Sequence, residues 1–428
     1  MQPLTQLSPI GPPARGGPTD PSHDRELRRG IIHTAVSRPL ALSLVVAFVG
    51  VIYGVPIGQA VRDKKNGDDS VLPELFRRPP TRENLKRFEE DLEKSSFAKE
   101  AVQPRVQLAL TRLGAGNKNA VIGRQGWLYY APGVMSVAGP GFLDPDAQLL
   151  RARAAADAGE PPPHPDPRPA VLGFHQALAR RGIRLVLFPV PDKAALQPAQ
   201  LHGRGGEEVA SNADQARFLA EMRAAGVLVF DPTPPRLFPG EPPRYLIQDT
   251  HWTPRWMEAV AAQLAAFVRV SAQVSPAPAR LARKAVPLPV QRLGDIVDML
   301  TLFEDQTLFQ PQTVTIRQVQ DSAGQPWEPW TGADVLLLGD SFANIYTSES
   351  MGWGTAAGLA PHLALALGAE VDVIAEIGGG ASGARKRLSE ALAGGEDRLA
   401  GKRVVIWEFT SRELTVGDWK PYDYEVKK

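Results

Sequence analysis

A serine stands directly after a run of apolar residues in the segment DVLLLGDSFANIYT, residues 334–347. Residues 335–338 suit a buried strand and residues 342–350 suit a helix, so Ser341 is predicted at a sharp strand-to-helix turn. A serine at such a turn lies beside the free N–H groups of a helix N-terminus, which can hold the oxyanion of an acyl-transfer intermediate. The alternative is that Ser341 only caps the helix, a role that serine often has.

A second stretch, YLIQDTHWTP at residues 245–254, places an aspartate and a histidine two positions apart. A serine nucleophile needs a base to take its proton and a carboxylate to orient that base. In an extended segment, side chains two residues apart point the same way, so Asp249 and His251 are predicted to face Ser341 together. The alternatives are a histidine that caps the helix starting near Pro254, and an Asx turn at Asp249.

Composition narrows the possible classes of function. The 428 residues are 43% hydrophobic and 22% charged, which is enough for one large core or two modest ones. The formal net charge of +1 gives no long-range attraction for nucleic acid, so nucleic acid is not expected as a partner. The absence of cysteine excludes disulfides and thiolate nucleophiles. Because nucleotide-binding and His-Glu-x-x-His motifs are also absent from the sequence, we predict no cofactor and no metal.

The N-terminal part of the sequence predicts a membrane anchor. Residues 1–38 are rich in Pro, Gly and Arg and predict a disordered tail. Residues 39–61 contain no charge and are long enough to cross the roughly 30 Å of a bilayer core. The alternatives are a buried helix of a soluble protein, or a signal peptide cleaved near residues 58–60. The long leader favours an uncleaved anchor, and the slight excess of arginine before it favours a cytoplasmic N-terminus.

From residue 170 onward, apolar strands alternate with amphipathic helices. Strands are predicted at 183–190, 227–230, 334–338, 371–377 and 403–409, with helices at 170–181, 212–225, 254–269, 355–367 and 383–393. This order is typical of a mainly parallel sheet covered by helices on both faces. Ligand sites of such sheets lie beyond the carboxyl ends of the strands, where Ser341, His251 and the glycines at 378–380 are predicted to meet. Residues 62–119 predict a helical linker, with one helix over 81–113, and residues 270–330 a β-rich excursion.

These segments together resemble SGNH hydrolases and, more specifically, alginate O-acetyltransferases of the AlgX/AlgJ kind. Gly339-Asp340-Ser341 resembles the nucleophile block, and the Asp-x-His-Trp stretch before the serine is similar to the reordered pattern of that family. Further matches are Gly126-Trp127-Leu128, residues 189–193, Gly294-Asp295-Ile296 with Met299-Leu300, residues 378–380, and residues 405–408 with Arg412. The resemblance implies an SGNH hydrolase-like three-layer α/β/α domain over residues 120–415, followed by a tail at 416–428.

The resemblance also implies catalytic roles for the matched residues. Ser341 would be the nucleophile, His251 the base and Asp249 its orienting partner. The backbone N–H of Ser341 is the first candidate for the oxyanion, and that of Gly379 or Gly380 the second.

Other assignments concern the third oxyanion donor and the substrate groove. SGNH hydrolases have an asparagine in their third block, and this sequence has none after the Trp407 strand, which leaves Thr410 or Arg412 as substitutes. Arg412 could instead bind the carboxylate of an acidic sugar or form a structural salt bridge. Trp252 and Tyr346 are predicted to lie near the rim and contribute to the sugar groove.

We therefore predict a single-pass O-acetyltransferase of the inner membrane with its catalytic domain in the periplasm. It would carry an acetyl group on Ser341 and pass it to hydroxyls of an alginate-like polysaccharide. The resemblance implies a multispanning membrane O-acyltransferase as the acetyl donor. The alternatives are a carbohydrate acetylesterase with the same triad, and a non-catalytic polysaccharide-binding assembly subunit.

Overall fold

A computed structural model describes residues 37–203, 210–232 and 243–426. The predicted disordered tail, residues 1–38, lies almost wholly outside these described residues. Contacts divide the chain into two compact units, Met1–Ser96 and Phe97–Lys428.

The described part of the first unit is helical. Its helices are α1 (Arg38–Asn66), α2 (Glu74–Arg77) and α3 (Arg82–Ser95). Helix α1 is long and apolar enough to cross a membrane, and its apolar window is fully exposed. It begins one residue before the predicted span and ends five residues after it, in a charged last turn that contains Lys64 and Lys65. The single helix predicted over 81–113 is wrong, because the extended backbone of Ser96 divides it into α3 and α4 (Phe97–Arg112).

The second unit is built on a sheet of five parallel strands, in the order β4-β3-β9-β7-β8. The strands are β3 (Arg184–Val190), β4 (Leu228–Val229), β7 (Val335–Gly339), β8 (Val371–Ala375) and β9 (Val404–Thr410). The prediction of a mainly parallel sheet is confirmed. Strand β7, which leads to Ser341, lies between β9 and β8, so its backbone hydrogen-bonding groups pair on both sides.

Helices cover both faces of this sheet. The alternation of β7 sends Val335 and Leu337 into one core cluster, and Leu336 and Leu338 into another on the opposite face. The first cluster includes α11 (Pro254–Val270) and α14 (Leu359–Leu367), and the second includes α7 (Pro167–Arg180), α10 (Gln215–Ala224) and α15 (Gly380–Ala393). All four β7 side chains are fully buried, and each contributes about 2 kcal/mol through burial of apolar surface. The predicted three-layer α/β/α architecture is confirmed.

Two antiparallel hairpins accompany the sheet. Strands β1 (Ala120–Ile122) and β2 (Leu128–Tyr130) form the first, and β5 (Arg283–Arg292) and β6 (Gln312–Asp321) form the second. The second hairpin accounts for the β-rich excursion predicted over residues 270–330.

Short helices complete the described second unit. They are α5 (Ala131–Ala138), α6 (Pro145–Ala158), α8 (Lys193–Leu196), α9 (Pro198–His202), α12 (Asp295–Met299), α13 (Ser341–Asn344) and α16 (Glu413–Val416), with a 3-10 turn at Glu349–Met351. Helix α13 is one turn long and ends before the predicted residue 350.

Candidate active site

Ser341 lies at the turn between β7 and α13, at the carboxyl edge of the sheet. Asp340 is the N-cap of this helix, since its Oδ1 accepts the N–H of Phe342 at 2.8 Å. The alternative reading of Ser341 as the cap is therefore wrong. Gly339 permits the close turn, because a Cβ at that position would lie 2.6 Å from the Cβ of Ala343. Ser341 is the first residue of α13, where its N–H has no intrahelical acceptor.

The structure brings Ser341, His251 and Asp249 together in one hydrogen-bonded chain. Nε2 of His251 is 2.8 Å from the Oγ of Ser341. On the other side of the ring, Nδ1 is 2.7 Å from Oδ1 of Asp249. His251 and Asp249 are 3% and 1% exposed, so the ring is held by these two contacts in a site from which water is largely excluded. The arrangement suits a serine activated by an oriented imidazole.

Asp249 and His251 lie in a turn. Their two-residue spacing had predicted an extended segment, and that prediction is wrong. Residues 247–251 are bends, and Oδ1 of Asp249 also accepts the backbone N–H of His251 at 3.0 Å. This contact makes an Asx turn, as in the alternative reading of Asp249. The second oxygen, Oδ2, accepts the indole N–H of Trp353 at 3.0 Å and the backbone N–H of Asp295 at 3.1 Å. Both oxygens of the carboxylate are thereby fixed.

The two buried groups shift each other's pKa in opposite directions. Burial alone would raise the pKa of Asp249, but the hydrogen bonds and charge of His251 outweigh it and hold that pKa well below its usual range. Burial alone would lower the pKa of His251, but the hydrogen bond and charge of Asp249 outweigh it and raise that pKa above its usual value. The pair thus favours ionised Asp249 and a strongly basic imidazole.

Asp249, His251 and Asp295 also offer ligand atoms within 4.8 Å of one another, close enough for a metal ion. The oxygens of Asp249 already accept four N–H groups, from His251 twice and from Asp295 and Trp353. A carboxylate saturated by N–H donors has little remaining capacity for a cation, so the cluster suits a proton-transfer site better than a metal site.

Lys193 supports the Asp249 turn from within the core. It is 5% exposed, and its Nζ donates to the carbonyl oxygens of Ile247 at 2.9 Å and Asp249 at 3.0 Å. The ammonium also lies 5.0 Å from the ring centre of Trp127. Burial lowers the pKa of Lys193 to about 7. Lys193 ends the segment 189–193 that resembles the family and follows a predicted strand, but its role in supporting the turn was not predicted. Nothing in the sequence indicated the contact of Trp353.

Trp252 and Tyr346 do not line a groove, and this part of the sequence prediction is wrong. Both side chains are fully buried, and the hydroxyl of Tyr346 donates to the carbonyl oxygen of Trp252 at 2.6 Å. The Trp252 ring packs edge-on against Phe342, with centroids 5.3 Å apart. Both residues therefore hold the segments that carry His251 and Ser341 against each other.

Arg412 forms the structural salt bridge that was one of its three predicted roles. It is 9% exposed, and its Nη1 lies 3.3 Å from Oδ1 of Asp192. Burial opposes its charge, but Asp192, Asp340 and other carboxylates raise the pKa of Arg412 above its usual value. Thr410 is fully buried, and its N–H donates to Oδ2 of Asp340 at 3.3 Å. Arg412 is thus paired inside the protein, whereas the buried hydroxyl of Thr410 has no hydrogen-bond partner among the described residues.

The glycine turn after β8 excludes one of the two candidates for the second oxyanion donor. The N–H of Gly379 donates to the carbonyl oxygen of Glu376 at 3.1 Å, so Gly379 is not a free donor and that assignment is wrong. The next N–H beyond Gly380, that of Ala381, lies 3.3 Å from a carboxylate oxygen of Glu413. The role of Gly380 stays a prediction, as does that of the Ser341 N–H.

A serine, a histidine and an aspartate at the carboxyl edge of a parallel three-layer sandwich form the triad of a serine enzyme, an arrangement that SGNH-like enzymes share with other α/β classes. The sequence model of a family described as "SGNH hydrolase-like domain, acetyltransferase AlgX" matches residues 120–411. The chain belongs to this acetyltransferase family.

The chain is also similar to individual proteins. The "Probable alginate O-acetylase AlgJ" of Pseudomonas aeruginosa is 28% identical over 318 residues, covering 72% of this chain and 73% of the relative. The protein of the same description from Azotobacter vinelandii is 26% identical over 319 residues, with 72% of each covered. A solved structure described as the O-acetyltransferase domain of Pseudomonas putida AlgJ is 24% identical, covers 70% of this chain and 93% of that chain, and has a TM-score of 0.48.

Proposed function

We propose that this enzyme carries an acetyl group on Ser341 and transfers it to hydroxyls of an extracytoplasmic polysaccharide related to alginate. The observation that carries the proposal is the chain of contacts from Ser341 Oγ through His251 to Asp249, at 2.8 and 2.7 Å. The family supplies the acetyl chemistry, and the names of the curated relatives supply the polymer class. The catalytic domain of the proposal is residues 120–415.

The proposed reaction has two half-reactions. In the first, Oγ of Ser341 attacks the carbonyl carbon of the acetyl donor while Nε2 of His251 takes the hydroxyl proton. The bond between the acetyl group and its carrier breaks, and His251 returns the proton to the departing group. In the second, a sugar hydroxyl gives its proton to His251 and attacks the acetyl-serine, after which Ser341 recovers the proton and the acetylated sugar leaves.

The proposed location follows from α1, which is long and apolar enough to span a membrane. We propose that α1 is an uncleaved anchor in the inner membrane and that the catalytic domain faces the periplasm. Because acetyl-coenzyme A is made in the cytoplasm, the acetyl group would have to cross the membrane first. A multispanning membrane O-acyltransferase is the proposed donor.

The test follows the acetyl group to its acceptor. The purified protein is given an activated aryl acetate as donor and deacetylated alginate oligosaccharides as acceptor, and products are measured by mass spectrometry. We expect the oligosaccharides to gain acetyl groups, because a transferase binds its acceptor more productively than water. Release of acetate alone at every acceptor concentration, with deacetylation of acetylated alginate, would favour the esterase alternative.

Two serine variants complete the test. Ser341→Ala should lower the rate of acetyl transfer by about 10⁴-fold or more, with a nearly unchanged thermal midpoint. Ser348→Ala is the matched control, since its hydroxyl is exposed and bonds the hydroxyl of Ser350. Full activity in Ser341→Ala would remove this serine from the mechanism.

A further inference from the structure

A second carboxylate faces the catalytic imidazole. Oδ2 of Asp295 lies 3.6 Å from Nδ1 of His251, the nitrogen that Asp249 contacts at 2.7 Å. The other oxygen, Oδ1, accepts the backbone N–H of Thr250 at 2.7 Å and its hydroxyl at 3.1 Å. These two bonds fix the Asp295 carboxylate on the turn that carries His251, with Oδ2 toward the ring. The Asp295 side chain is 25% exposed, whereas that of Asp249 is 2% exposed.

We propose that Asp295 is a second positioning residue of the acetyl-transfer site. Its charge adds to that of Asp249 in stabilising the protonated form of His251. This inference rests on the proposed function, because it assigns Asp295 a part in the same proton transfers. Asp249 sets the tautomer and orientation of the ring through a short hydrogen bond. Asp295 acts at longer range, by placing a second negative charge near the ring when His251 takes the serine or sugar proton.

The hydrogen-bonding of Asp249 explains why a second carboxylate has a role. Asp249 divides its charge among four N–H donors, of which the ring of His251 is only one. A buried imidazolium within 4 Å of an additional carboxylate is stabilised further, since Coulomb attraction is strong where water is excluded. Burial and the charge of Asp249 raise the pKa of Asp295 to about 6. Because the pKa of His251 is raised as well, Asp295 is ionised at the more alkaline pH where His251 loses its proton.

Other charged groups surround this cluster. Asp340 acts on His251 from the start of α13, and Lys193 acts on both Asp249 and Asp295 from the core. Asp298, one turn after Asp295 on α12, lies 3.7 Å from Arg292. Because these groups are unchanged when only residue 295 is replaced, the difference between variant and wild type isolates the Asp295 charge.

The test replaces Asp295 by asparagine, which keeps an oxygen for Thr250 and removes the charge. The midpoint of the His251 ring titration, measured by NMR, should fall by about 1 pH unit. The acid limb of the pH–rate profile for acetyl transfer should also shift to lower pH. The plateau rate should fall about 10-fold, because the imidazolium is less stabilised. Asp298→Asn is the matched control: its side chain is 62% exposed, so it should move the His251 midpoint much less than Asp295→Asn does.

One arm of the test needs no variant. In the wild-type protein, the His251 ring signals should show a second, smaller inflection on the acid side of the main midpoint as Asp295 titrates. An unchanged His251 midpoint in Asp295→Asn, or the absence of this inflection should the variant not fold, would overturn the inference. If Ser341→Ala keeps full transfer activity while Asp295→Asn still lowers the His251 midpoint, the proposed function fails and the charge pairing stands.

Discussion

Arg412 has a structural role because it is buried in the protein interior. The sequence placed this arginine after a strand, at the edge where substrate binds, which suggested a contact with a sugar carboxylate. The structure instead buries it against Asp192 and packs its guanidinium over Tyr130, 5.2 Å from the ring centre, and over Phe342 at 5.7 Å. Phe342 directly follows Ser341, so Arg412 stabilises the segment that carries the serine.

We expect Arg412→Ala to destabilise the protein by about 3–5 kcal/mol, because it leaves the Asp192 carboxylate buried without its ionic partner. Urea unfolding monitored by tryptophan fluorescence measures this loss. Arg387→Ala is the control, since Arg387 pairs with Glu376 on the surface with 61% of its side chain exposed, and should cost less than about 1 kcal/mol. Equal losses for the two variants would contradict the structural role of Arg412.

The ends of β7 and β9 together form the support beneath the serine turn. Oε2 of Glu408 on β9 accepts the backbone N–H of Asp340 at 3.0 Å, directly before the nucleophile. Glu408 is 1% exposed, and burial, followed by the charge of Asp340, raises its pKa well above the usual value. A protonated Glu408 can donate to the Asp340 carboxylate while it accepts the Asp340 N–H. Glu408 thus joins the two strands at this point through its contact with the Asp340 backbone, in addition to the backbone pairing of the strands.

This pair predicts a specific dependence of stability on pH. The folded protein keeps a proton on Glu408 that the unfolded chain loses near pH 4.3, so its contribution falls as pH rises above that value, by up to about 1.4 kcal/mol per pH unit. Glu408→Gln mimics the protonated side chain. It should match the wild type near pH 4 and exceed its free energy of unfolding at pH 8.

Urea unfolding of both proteins across this range measures the effect. Glu390→Gln makes the same change on the exposed face of α15, where 63% of the side chain is accessible, and controls for net charge. A constant difference between Glu408→Gln and the wild type at all pH values would contradict the proton on Glu408.

Sequence patterns predicted the strands more accurately than they predicted the side-chain contacts between elements. Mainly apolar runs of five to eight residues predicted β3, β7, β8 and β9, because the strands of a parallel sheet covered by helices are buried on both faces. The roles suggested for Trp252 and Tyr346 failed because a residue next to a catalytic one in sequence can point into the core. The Trp353 contact was not predictable, since the irregular chain between α13 and α14 has no period from which its path can be derived.

At the scale of the whole molecule, the two compact units differ in content. The first unit, Met1–Ser96, contains the exposed apolar helix α1, and the second, Phe97–Lys428, contains the sheet, both main cores and every proposed catalytic residue. Because the apolar surface of the second unit is gathered into cores of its own, it has the anatomy of a domain that folds independently.

We therefore expect a protein of residues 97–428 to be soluble and folded without detergent, and to acetylate Ser341 from an activated ester at the rate of the full chain. The physical reason is that the triad and its supports, Lys193, Trp353 and Asp295, all belong to this unit. Circular dichroism, a cooperative thermal transition and mass spectrometry of the acetylated protein measure the outcome. The matched comparison is residues 67–428, which adds α2 and α3 without α1. If both proteins aggregate and only the chain with residues 38–66 recovers a cooperative transition, the anchor is part of the catalytic fold and the division into two units does not hold.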